Sequence, residues 1–215
     1  ENYLLTSFNA CPAAKYCFIE LQTSRNFNFK SIYLPGNIEI ENFQIIPLNV
    51  ALAEQYDLHD SASSCFHYMV ADSTGRSAVL EWVGADADHD ADGSQRQLNV
   101  LWNDTDALSD SSDWQVVTNF IKAPGYYDGT AVEMKGLDRY EHLAAALRQT
   151  NGVVADKNAA MDLLASVGRR TWNNDDSNTN TIHSVVYDLT DRSVLWVGNE
   201  HYGEDGYTFE FQLGA

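Results

Sequence analysis

Basic residues are scarce in this chain: 13 Lys and Arg stand against 31 Asp and Glu, for a formal net charge of −18. That excess repels a phosphate backbone or an anionic bilayer surface, so neither nucleic acid nor a membrane is an expected partner. No window approaches the roughly 18 consecutive apolar residues that a membrane-spanning helix needs. The segment from Glu1 onward also lacks the basic start and apolar stretch of a signal peptide. Cysteine is nearly as sparse, with Cys11, Cys17 and Cys65 alone. Three thiols cannot all pair within one chain, which favours a reducing, cytoplasmic compartment, while secretion after leader cleavage stays open. The histidines show no metal-ligand spacing, and there is neither a Gly-rich phosphate loop nor a Gly-x-Ser-x-Gly elbow. No cofactor is expected.

What is present is apolar and aromatic. Hydrophobic residues make up 44% and aromatic residues 12% of 215 positions, enough for one substantial core, and a single domain over residues 1–215 is expected. The clearest local structure is residues 66–82. Phe66, Tyr68 and Val70 alternate with His67, Met69 and Ala71, Asp72-Ser73-Thr74-Gly75 supplies turn residues, and Ser77 to Val83 resumes a β pattern, so the stretch predicts a hairpin. Further strands are predicted for Lys15 to Leu21, Gln97 to Trp102, Trp114 to Phe120, Val185 to Leu189, Ser193 to Val197 and Tyr207 to Leu213. Residues 1–9 read only as polar and aromatic. Two helices are predicted between the later strands. Asp138 is the expected cap of the first, with Tyr140, Leu143, Ala144 and Leu147 on one face; Asp156 caps the second, with Ala160, Leu163, Leu164 and Val167 inward. Strands, then helices, then strands give an α+β class.

Residues 86–93, Asp-Ala-Asp-His-Asp-Ala-Asp-Gly, form a dense acidic run. Asp88, Asp90, Asp92 and Gly93 match positions 1, 3, 5 and 6 of an EF-hand loop, where alternate carboxylates converge on calcium. Position 12 of that template is Asn99 rather than Glu, and no helices flank it, so a solvated hairpin loop competes with a calcium site.

Several of these stretches also resemble one family. Glu54-Gln55-Tyr56-Asp57-Leu58-His59-Asp60 with the hairpin that follows, Trp114 to Phe120, Asp138-Arg139-Tyr140, Ser184 to Thr190 and the closing Tyr207-Thr208-Phe209 are similar to the linear amide C–N hydrolases. That family contains the choloylglycine (bile-salt) hydrolases and penicillin V acylases, Ntn hydrolases with a cysteine nucleophile. The likeness is strongest over residues 54–213. Arg25-Asn26-Phe27-Asn28-Phe29 resembles the family's Arg-Asn-Phe-Asp-Phe signature, with Asn28 in place of the usual aspartate. Around residues 30–53 the chain is shorter than the family pattern, as if segments were missing.

The resemblance implies an αββα sandwich of antiparallel sheets covered by helices, a small acyl amide as substrate, and a homo-oligomer as one option. Its nucleophile is a cysteine at the mature N-terminus whose own α-amine serves as base, but position 1 here is Glu. Cys11 is the better candidate by its spacing to Arg25, and Cys17 the alternative. By resemblance Arg25 lies beside the thiolate, Asn28 occupies the place of the amine-orienting carboxylate, Asn119 polarises the scissile carbonyl and Arg139 is a second active-site arginine. A surface ion pair is the competing reading for Arg25, a solvated position for Arg139 and a turn-forming one for Asn119. The rival to catalysis is an Ntn-fold binding or scaffold homologue that has lost its nucleophile.

Overall fold

The computed structural model describes residues 3–9, 16–22, 50–51, 53–54, 67–71, 76–84, 96–104, 111, 113–127, 136–170, 172, 181–188 and 191–212. In chain order the strands are β1 (Tyr3–Asn9), β2 (Tyr16–Gln22), β3 (His67–Ala71), β4 (Ser77–Val83), β5 (Gln97–Trp102) and β6 (Trp114–Val117). Helices α1 (Leu137–Gln149) and α2 (Lys157–Ala165) follow, then β7 (His183–Asp188), β8 (Ser193–Gly198) and β9 (Thr208–Gln212). The class is α+β. No helix among the described residues is long and apolar enough to cross a membrane.

Two antiparallel sheets form. One has the order β6-β1-β2-β7-β8-β9 and the other β3-β4-β5. The expected hairpin is the β3–β4 pair, with Tyr68 opposite Leu80 and Val70 opposite Ala78. Alternation along β4 then sorts its side chains onto two faces, as the period of a strand requires. Ala78, Leu80 and Trp82 pack with Val50 and Ala53 of a helical turn on the outer face. Val79 points the other way, joining Leu101 and Val117 between the sheets. On the far face of the larger sheet, Trp114, Val116, Val186, Leu195 and Val197 pack against Leu143, Leu147, Met161 and Leu164 of the two helices. Fully burying a side chain of this size contributes about 1.5–3 kcal/mol, so these three apolar layers hold the stack of helices, sheet, sheet and helical turn together.

A polar residue inside the stack ties the two sheets together. Gln115 is fully buried and faces the smaller sheet. Its Oε1 accepts from Ser77 Oγ at 2.8 Å and its Nε2 donates to the Leu101 carbonyl at 2.9 Å, so a single side chain bonds to two strands of the opposite sheet.

Three expectations need correction. The aromatic and polar start of the chain includes a strand, β1, whose pairing with both β2 and β6 overrides its weak periodicity. The strand read as Trp114 to Phe120 ends at Val117, where Thr118 Oγ1 turns to donate to the Gly136 carbonyl at 3.0 Å; Asn119 therefore lies in a bend beyond the strand. Helix α1 is not capped by Asp138. Its N-cap is Gly136, in the left-handed region at φ 79°, and Asp138 sits in the first turn with its carboxylate accepting from Trp172 Nε1 at 2.6 Å. Asp156, in contrast, caps α2 as expected, accepting from the backbone of Asn158 and Ala159.

Candidate functional site

The bend after β6 and the first turn of α1 are brought together by Gly136. A residue here must enter the helix from a positive φ, which glycine adopts without the Cβ penalty. The space is also needed: a Cβ at this position would lie 2.8 Å from Arg139 Nη2 and 3.0 Å from Asn119 Oδ1. With no side chain at 136, Arg139 reaches across and donates through Nη2 to Asn119 Oδ1.

This contact fixes the chemistry of Asn119. A guanidinium carries donors only, so the Asn119 atom facing it is the carbonyl oxygen, and the Nδ2 amide is turned away as an oriented donor. Asn119 is half-buried, whereas Arg139 is only 5% exposed. A cation in the first turn of a helix works against the macrodipole, so helix stability does not account for a buried arginine here. The guanidinium and the helix N-terminus bring positive charge to the bend, facing the Asp138 carboxylate of the same turn and the Glu81 carboxylate at Lys122. Lys122, 1% exposed, lies close by along the chain, with Nζ 5.7 Å from the centroid of the Tyr140 ring.

A second buried polar group supports the same bend. Glu81 of β4 is fully buried; its Oε1 accepts from the Lys122 backbone at 2.8 Å and lies 2.7 Å from His67 Nε2, while Oε2 accepts from Asn99 Nδ2 at 3.1 Å. Burial alone pushes this carboxyl upward, but the His67 ring, the Lys122 N–H and the Asn99 amide outweigh it and hold the group below its ordinary range. The Ile121 N–H donates to Tyr127 Oη at 3.0 Å, and Phe120 packs edge-on against Tyr140.

Of the sequence-predicted site residues, Asn119 and Arg139 are therefore in contact. Cys17 lies on β2, where its backbone is opposite Phe8, which in turn is opposite Gln115 of β6. That level is four residues before Asn119. Cys11, Arg25, Asn28, and the calcium candidates Asp88, Asp90 and Asp92, lie outside the described residues, as does most of the segment around residues 30–53. No group of three or more His, Cys, Asp or Glu side chains able to hold a metal is found among the described residues. Near the last strand, Glu200 accepts from Thr181 Oγ1 and the Arg170 backbone, while His201 pairs with Glu204; the Glu200 and His201 side chains thus have separate partners.

Gly136, Glu81 and His67 were not anticipated as part of this site. Glu81 carried a legible signal, being the one charge in the run Ser77 to Val83 and sharing a strand face with Val79 and Val83. Gly136 carried none beyond its position two residues before Asp138. Compared with protein-family models and with curated proteins, the chain matches none.

Proposed function

We propose that the chain is a hydrolase of linear, non-peptide amide bonds, acting on penicillin V, a conjugated bile acid or another N-acyl compound through a cysteine nucleophile, and that its layered sheets are an Ntn-hydrolase-like αββα sandwich. The observation that carries the reading is the half-buried Asn119 amide, whose Oδ1 accepts from a buried arginine, which leaves Nδ2 as the donor of that side chain. Such a donor suits the oxyanion that develops when a thiolate attacks an acyl carbonyl.

In this reading the sulfur of Cys11, with Cys17 as the alternative, forms a bond to the carbonyl carbon. The C–N bond then breaks and the amine leaves with a proton. Water hydrolyses the resulting thioester, releasing the acid and restoring the thiol. Arg25 lowers the thiol pKa or holds the carbonyl, Asn28 hydrogen-bonds at the nucleophile, and Arg139 keeps Asn119 in its donating orientation. The overlap in wording with the linear amide C–N hydrolases supports these assignments.

The register of Cys17, level with Gln115 rather than with Asn119, favours a second reading: an Ntn-fold binding or scaffold homologue without catalysis. Amine release from penicillin V and from glycine- and taurine-conjugated bile acids, with and without prior thiol alkylation, separates the two. Turnover abolished by alkylation supports the hydrolase, and the labelled peptide identifies the cysteine. No turnover, together with no thiol that reacts unusually fast near neutrality, overturns it.

A further inference from the structure

The bend at residues 118–122 carries Asn119 and is tied at one side to the start of α1, through Thr118 Oγ1 and the Gly136 carbonyl. At the other side its Lys122 N–H is received by a carboxylate from the opposite sheet. We propose that Glu81 is a positioning residue for Asn119, fixing the bend across the two sheets so that the Asn119 amide donor meets the reacting carbonyl; this rests on the hydrolase reading of the site. The geometry argues for more than packing. Glu81 Oε1 takes two approaches, the Lys122 N–H at 2.8 Å and His67 Nε2 at 2.7 Å, and Asn99 Nδ2 closes Oε2 at 3.1 Å. A carboxylate inside a sheet interface is costly to bury, and a leucine there would be the simpler core residue. What a leucine could not do is accept a backbone N–H three residues from Asn119. Held at Thr118 and at Lys122, with Ile121 N–H on Tyr127 Oη between them, the bend has little freedom to carry Asn119 away from Arg139.

The test is a double-mutant cycle of E81Q and N119A on the amide that the wild type hydrolyses, accompanied by NMR of the Asn119 side-chain amide, assigned by its loss in N119A. E81Q is expected to lower kcat about tenfold to hundredfold with KM little changed, the cost of a small misplacement of a catalytic donor. In the N119A background it is expected to cost nothing further, because Glu81 acts through Asn119. The Asn119 amide signals are expected to shift in E81Q and to stay in place in E210Q, a charge removal on exposed β9. Losses that multiply in the double variant, or Asn119 signals unmoved by E81Q, overturn the proposal. Should E81Q fail to fold, H67Q takes its place, with a smaller shift of the same signals expected and no shift overturning it. If wild type hydrolyses none of the amides, the hydrolase reading fails by that result, and the positioning of Asn119 is decided by the NMR signals alone.

Discussion

At the scale of single residues, the site rests on a glycine and an orientation. Replacing Gly136 by Ala forces a side chain into the left-handed region and against Arg139 and Asn119 at once. G136A is expected to cost about 1–3 kcal/mol of stability, read as a lower denaturant midpoint, and to lower activity with it. N119A tests the donor itself. On the proposed hydrolase reading N119A is expected to reduce kcat about a hundredfold to a thousandfold with folding intact, and a loss below threefold would leave Asn119 a turn residue. The choice of this pair as candidates was legible, since Asn119 and Arg139 stand in stretches that resemble the linear amide C–N hydrolases. Their mutual contact was not, because it depends on the positive φ of Gly136, which brings α1 back onto the bend. Glu81 shows the same limit. Its charge among apolar neighbours was visible, but its partner is a backbone N–H far along the chain, and no local pattern points to that.

At the scale of elements, period and capping chemistry were reliable where they were strong. The β3–β4 hairpin, β5 and α2 follow from alternation, turn residues and an Asp cap. Helix α2 makes this testable: Asp156 Oδ1 accepts from Asn158 N at 2.9 Å and Ala159 N at 2.8 Å, and D156A is expected to destabilise the protein by about 0.5–2 kcal/mol in urea unfolding. Asp138 looked equivalent and is not. The chain enters α1 through a left-handed glycine, so the position where a capping side chain would act is one with no side chain at all. Strand β1 escaped notice for a related reason, since what makes it a strand is its place between β2 and β6.

At the scale of the whole molecule, two titrations act in one direction. His183, stacked on Trp196, is held below its ordinary value of 6.5 by burial, so the folded state takes up its proton later than the unfolded chain. Its contribution is complete above 6.5 and is lost as pH falls from there through the lower folded-state value. Glu81, also lowered, contributes above its ordinary 4.5 and loses that contribution as pH falls further. Denaturation midpoints measured across this range are expected to fall in two stages, with the first removed in H183Q. The overall charge of −18 adds a kinetic effect. On the proposed hydrolase reading it repels a carboxylate-bearing amide, so kcat/KM for such a substrate is expected to rise as ionic strength increases from about 0.01 to 0.15 M, and to stay flat for an uncharged one.

The order of strands in the larger sheet also sets a timetable. β1 and β2 are neighbours in sequence, but β2 completes its pairing only when Leu21 meets His183, and β1 only when Thr6 meets Val117. During synthesis both strands leave the ribosome long before their outer partners exist, exposing two open ladder edges in the meantime. The β3–β4–β5 meander has no such wait. Refolding is therefore expected to show a fast phase for the small sheet and a slow one for the large sheet, with aggregation confined to the interval between them.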